Sequence, residues 1–377
     1  MAILVKRFLP STLPNWLYWM GLCLKLLAGI ILGLVFYKYY GSGDTINFFN
    51  EAISSSSIEQ RNEPRTEFFI QILKPVTQLA GKSYWITSLY FSFFSFSAFW
   101  FGANVIAKNY PSLKWITAIS LLMIPSIVFW SSGVIKDSIA SASLVILVAS
   151  SINSYCNKKI HALDSLFIGV SAIVLFNIKH YLLITSLIFI GILLATTLFN
   201  KLGIKWKIVS VLVFATAITL TQYIHPYLNY NTIPWTLQQN NQAILEKSDS
   251  EGRIDIEIRE ESWIEVLKNI PKALHAGFFR PSILDRTPVW GWIHRIENLV
   301  LTVLIMMSLI LALKLKPPID WPLFIASICG ISLLAIMLPL STPNFGTLVR
   351  YKNAYMPYLF LISSILPYRY FTSQTEE

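Results

Sequence analysis

Residues 16–36 read WLYWMGLCLKLLAGIILGLVF, an apolar stretch whose single charge is Lys25. A helix of that length crosses the ~30 Å hydrocarbon core of a bilayer. There is no period-two alternation of the kind a barrel strand requires. Lys6 and Arg7 precede the stretch, as basic residues precede a secretory leader. The run is nevertheless too long for a leader and offers no clear small-residue cleavage site, so it reads as a retained signal anchor.

Working outward, runs of the same character recur at 85–107, 115–130, 138–152, 165–176, 182–199, 208–223, 298–313, 321–340 and 354–368. The expected fold is therefore an all-α polytopic membrane protein of about ten transmembrane helices, one integral membrane domain over 1–377. Composition agrees: 54% of residues are hydrophobic, 14% aromatic and only 13% charged, where a soluble domain carries about a quarter charged.

The formal net charge of +10 does not mark a nucleic-acid binder, because the basic residues are spread through loops between the apolar runs. Taking alternate loops, one side holds Lys6, Arg7, Lys108, Lys114, Lys158, Lys159, Lys201, Lys205, Lys207, Lys314, Lys316 and Arg369. The short loops of the other side hold Lys136, Lys179, Arg350 and Lys352. The positive-inside rule then puts both termini in the cytoplasm and the protein in the cytoplasmic (inner) membrane. It also sends two long segments outside, 38–84 and 224–297. Short interfacial helices are expected in both: one or two over 66–79, where Lys74-Pro75 punctuates the segment, and one at 254–274, where Ile254, Ile258, Trp263, Val266, Leu267 and Ile270 fall at helical spacing. Cys23, Cys156 and Cys329 have no pairing or metal spacing, and no disulfide framework is expected.

Four polar clusters stand on the side poor in positive charge. Gly43-Asp44 follows the first run; Asp44 is either the N-cap of a following helix or a carboxylate serving as general base toward an acceptor hydroxyl. Ser131-Ser132-Gly133-Val134-Ile135-Lys136-Asp137 joins two runs with hardly any loop. Its serines and Asp137 either cap helix ends while Lys136 snorkels, or Lys136 meets a phosphate that Asp137 orients. Lys179-His180 forms an equally short turn, structural or part of a cationic pocket. Asn344 to Lys352 contains Arg350, a fork suited to bidentate phosphate binding, with Tyr351 and Lys352 beside it. Within the second long loop, Arg280 lies in an aromatic and basic segment that suits sugar stacking or lipid head groups. The P-loop, dinucleotide, zinc and nucleophile-elbow patterns are all missing.

Gly43-Asp44 with Phe48 after the first run, Trp130-Ser131-Ser132-Gly133 with Lys136-Asp137, and Asn344 with Gly346, Arg350 and Tyr351 before a late run resemble bacterial membrane proteins related to GT-C glycosyltransferases. The resemblance implies transfer of a sugar from a polyprenyl-phosphate-linked donor to a glycan or lipid acceptor at the outer membrane face. It implies Asp44 as base or acceptor-orienting group, and Asp137 as a second acidic position. Only one first-loop carboxylate is well placed, so no divalent metal or other cofactor is expected. Such an enzyme needs cations at the bilayer edge beside an apolar groove, and Lys136, Lys179, Arg350 and Arg280 would supply them. The other classes compatible with the sequence are an O-antigen-type polysaccharide polymerase or ligase, and a lipid or polysaccharide flippase or transporter, which places ionisable groups nearer the midplane.

Overall fold

A computed structural model describes residues 11–41, 43–54, 64–199, 208, 211–213, 215, 216, 219, 229–249, 252–287 and 291–374. Among the described residues the chain is all helical, with no strands. Six helices are long and apolar enough to cross a membrane: Asn15–Tyr40, Tyr84–Asn109, Lys136–Cys156, Ala162–Thr196, Gly291–Leu315 and Trp321–Ser341. The chain divides into two compact units, Met1–Leu183 and Ile184–Glu377.

The first unit opens with α1 (Asn15–Leu34), which widens into a π-helical turn through Tyr40. Two helices of the first long loop follow, α2 (Asp44–Ile53) and α3 (Pro64–Leu79), packed on each other. The second of these is the expected one; the first begins at the residue after Gly43, whose φ of 143° suits glycine and where a Cβ would stand 2.6 Å from the Phe36 ring. Next come α4 (Tyr84–Asn109), α5 (Lys114–Leu122), α6 (Pro125–Trp130) and α7 (Lys136–Cys156). Small residues let these helices approach closely. A Cβ on Gly102 of α4 would lie 2.4 Å from Val145 of α7, and the Ser88 hydroxyl of α4 donates to the Gly29 carbonyl of α1 at 3.0 Å.

The runs expected at 115–130, 165–176 and 182–199 come out differently. The run at 115–130 is broken into α5 and α6, because Pro125 has no N–H to continue the helix and holds Ile124 extended (φ −64°, ψ 120°). The runs at 165–176 and 182–199 lie within α8 (Ala162–Phe199), two helical stretches meeting at Lys179, whose φ of −145° and ψ of 75° are not helical. The run at 208–223 falls largely outside the described residues.

The second unit holds α9 (Ile233–Lys247), α10 (Trp263–Phe279), α11 (Gly291–Leu315), α12 (Trp321–Ser341), α13 (Phe345–Lys352) and α14 (Met356–Gln374). The run at 354–368 belongs to α14, which is not one of the six candidate spans. The helix expected over 254–274 starts only at Trp263. Residues 254–259 are non-helical: Ile254, Ile256 and Ile258 are buried, and Asp255, Glu257 and Arg259 are exposed, a period of two rather than 3.6. Asn241 of α9, wholly buried, supplies this segment with partners. Its amide donates to the Ile256 carbonyl (3.0 Å) and to the Leu340 carbonyl (2.8 Å), and its oxygen accepts from the Ile258 amide (3.2 Å). Along α11 a continuous apolar face with Leu299, Val303, Met306, Leu309, Ile310 and Leu313 stays exposed, as a helix facing lipid requires.

Candidate functional site

The segment Ser131–Ile135 is buried within the first unit rather than lying at its edge: Ser131, Ser132, Val134 and Ile135 are all at 0% exposure. Its turn depends on Gly133, at φ 72°, which also leaves room for Ser88 and Leu32. The Gly133 amide donates to the Ser92 hydroxyl of α4 at 3.0 Å. The serines do not cap α7. They fold back on α6, Ser131 donating to the Ile127 carbonyl and Ser132 to the Val128 carbonyl at 2.6 Å. Lys25, buried in the middle of α1, donates to both the carbonyl and the hydroxyl of Ser131 and lies 4.1 Å from the Phe99 ring centre. Its amine thus sits at the C-terminal end of α6, held by Ser131.

This buried segment delivers Lys136 and Asp137 to the first turn of α7. The half-buried Lys136 donates to the Thr66 hydroxyl of α3 at 2.7 Å and lies 4.9 Å from the centre of the Phe48 ring of α2. Asp137 is 4% exposed and forms an ion pair with Lys179 at the break in α8. His180 follows, 9% exposed, its ring edge-on to Tyr181 at 6.4 Å. The non-helical backbone at Lys179 thus coincides with the amine's pairing to Asp137.

Asp44 is exposed and is the first residue of α2, not its N-cap. The cap is Gly43, whose carbonyl accepts from the amides of Ile46 and Asn47 at 3.1 and 3.0 Å. A carboxylate in the first turn still complements the helix dipole. Phe48 lies one turn further along the same helix. Phe48 entered the sequence reading only as part of the Gly43-Asp44 motif, and Thr66 was not singled out as a partner of Lys136; the available signal was a hydroxyl at the start of an otherwise amphipathic helix.

In the second unit the expected binding residues fall into two groups. Arg350 and Tyr351 are half-buried on α13, whose N-terminus Asn344 caps by accepting from the Thr347 amide at 3.2 Å. Arg280 and Lys352 instead hold the connection between α10 and α11. The Arg280 guanidinium forms an ion pair with Asp285 and stacks 4.9 Å from the centre of the Phe345 ring. Burial pushes the Asp285 carboxyl up, but hydrogen bonds from Arg280 and from the Ser282 amide, with the Arg280 charge, leave it below the usual carboxylate range. Lys352, only 3% exposed, donates to the Arg280 carbonyl at 3.0 Å and to Asn298 Oδ1 at 2.9 Å. Burial pushes its pKa down to about 7, the Glu297 charge acting the other way.

Among the described residues no group of three or more His, Cys, Asp or Glu side chains is gathered as a metal site would need. No family model, curated protein or solved structure matches this chain.

Proposed function

We propose that the protein transfers a sugar from a polyprenyl-phosphate-linked donor to a glycan or lipid acceptor at the outer face of the cytoplasmic membrane. The observation that carries this reading is the seat of Lys136. From the first turn of α7 its amine reaches Thr66 on α3 and covers Phe48 on α2. One cation therefore joins the helix that carries Asp44 to the helix that carries Asp137.

In this reading Asp44, exposed at the start of α2, takes the proton of the acceptor hydroxyl as that oxygen bonds to the anomeric carbon. The bond from that carbon to the donor phosphate oxygen breaks, and Lys136 offsets the charge left on the phosphate. Asp137 and Lys179 satisfy each other and act as positioning residues that fix the start of α7, with His180 beside them. Arg350 and Tyr351 keep a proposed part in donor binding. Arg280 and Lys352 are spent on the loop they hold.

A lipid or polymer transporter is the second reading, and it rests on a different observation. Unit one combines a helix break before Pro125, another at Lys179, and the buried Lys25, and interrupted helices with buried ionisable groups characterise transport sites. Transfer assays on purified protein, with a synthetic polyprenyl-phosphate sugar and an acceptor extract, separate the two. Asp44→Asn is expected to cut transfer by about 10²–10⁴-fold, the usual worth of a general base, with the amount of folded protein unchanged. Near-normal transfer by Asp44→Asn would remove the base from the mechanism. Movement of labelled lipid across vesicles by a wild type that transfers nothing would establish the transporter.

A further inference from the structure

The connection between α10 and α11 holds two apolar side chains outward on a rigid turn. Leu284 is 93% exposed and Ile283 47%, and Arg286 next to them is exposed as well. The turn beneath them is heavily braced. The Asp285 amide donates to the Ser282 carbonyl at 3.1 Å, and the Asp285 carboxylate accepts from the Ser282 amide at 2.6 Å and from Arg280. Lys352 holds the Arg280 carbonyl, and the Asn298 amide donates to the Pro281 carbonyl at 3.0 Å. A lone exposed leucine is ordinary on a protein surface. A leucine and an isoleucine side by side on a turn fixed by this many polar bonds cannot fold themselves away from water.

The bond to Asn298 gives the turn its depth. Asn298 lies in α11, a candidate span, about 10 Å along the helix from Gly291 at 1.5 Å per residue. Arg295 and Glu297 come just before it, and from Leu299 to Leu313 the helix carries no charged residue. Asn298 therefore marks where α11 passes from polar to apolar. Leu284 is only three residues from Pro281, so its backbone stays within about 10 Å of that residue at full extension. Head groups occupy roughly the 5–8 Å outside the hydrocarbon on each side, so a tip tied to Asn298 through Pro281 is within reach of that zone.

We propose that Ile283 and Leu284 form a wedge that inserts into the boundary between lipid head groups and acyl chains beside α11. The partner is the bilayer itself: apolar side chains meet the acyl region while Arg286, on the same turn, faces anionic lipid phosphates. The wedge is independent of any catalytic reading and would tether the loop whose Arg280 and Asp285 brace it.

The test places an environment-sensitive fluorophore on Leu284→Cys and, separately, on Ile283→Cys, with Cys23, Cys156 and Cys329 replaced by alanine, in nanodiscs containing phosphatidylglycerol. Asp249→Cys serves as the water reference and Leu309→Cys, on the exposed face of α11, as the lipid reference. Emission at the tip is expected to shift toward the Leu309 value. Quenching by acyl-chain bromine should be several-fold stronger than at Asp249, and quenching by aqueous iodide several-fold weaker. A tip that behaves like Asp249 overturns the wedge. So does a tip shielded from both quenchers, which would mean that protein, such as a second copy of this chain, covers it.

Discussion

The two polar connections, 131–137 in the first unit and 280–287 in the second, draw on the same residue types and use them differently. In the second, Arg280 forms its ion pair with Asp285, five residues away, and α13 backs the loop with the Phe345 ring and with Lys352 against the Arg280 carbonyl. The cations there close a loop. In the first, Lys136 reaches Thr66 and Phe48 on the first-loop helices, while Asp137 meets Lys179, 42 residues distant. Those side chains join separate helices, and displacing one of them moves the geometry of several elements. A basic residue is therefore not informative by type alone; what distinguishes the two connections is that the ion pair of the second closes within its own loop, whereas that of the first ties α7 to the break in α8.

The strongest way to break that comparison is at Lys179. Its pairing with Asp137 is nearly dry, with side-chain exposures of 10% and 5%. Removing one partner of such a pair strands the other and typically costs about 3–5 kcal/mol. Lys179→Met is accordingly expected to lower the unfolding midpoint of the detergent-solubilised protein by far more than any single change at 280–287. Adding Asp137→Asn should restore most of the stability, because the uncompensated charge is gone. If the double variant recovers its fold but not sugar transfer, the pair positions the site; recovery of both makes it a structural staple like Arg280–Asp285.

The mirror experiment is Asp285→Asn, with a smaller effect. The carboxylate accepts from Arg280 and from the Ser282 amide, and hydrogen bonds to charged groups are worth about 1.5–3 kcal/mol net. The partial exposure of the Arg280 side chain, 26%, puts the expected loss at the lower end of that range. Thermal unfolding followed by tryptophan fluorescence measures it. Transfer per folded molecule should be unchanged. A loss of transfer without a loss of stability would promote Arg280 from staple to donor-binding residue.

How much of this was legible in the sequence differs by scale. Apolar length and charge exclusion mark a helical membrane protein, and that reading survives because hydrocarbon leaves the backbone few alternatives. Breaks within apolar runs were harder. Pro125 sits inside an unbroken apolar stretch, so hydropathy passes over a residue that ends the helix by geometry. Lys179 showed as a polar interruption, and the backbone does leave helical angles there. At 254–259 the isoleucines at 254 and 258 satisfy a helical spacing, yet Ile256 between them fits only a period of two. In the site, Lys136 and Asp137 could be named from one short motif. Their partners Thr66, Phe48 and Lys179 could not be matched to them, because those contacts depend on how four helices pack.

The finest probe of the comparison is pH, acting on Lys352. Its amine loses its proton near pH 7 in the folded chain and near 10.5 once unfolded. Between those values the unfolded state binds the extra proton, so stability from this group rises with pH across that window and its burial cost is felt at and below the lower end. The neutral amine keeps two N–H groups, enough to serve both the Arg280 carbonyl and Asn298 Oδ1. Raising the pH therefore relieves the buried charge without opening the loop. Melting temperatures of wild type and Lys352→Met, measured from pH 7 to 10, should diverge, the wild type gaining on the variant as pH rises. The variant carries a constant penalty from two acceptors left without their donor, which offsets the curves but does not tilt them. Parallel curves would mean that Lys352 stays charged in the folded protein. Its partner Glu297, or a bound anion, would then be holding that charge, and the second connection would have to be counted as a binding site and not as a staple.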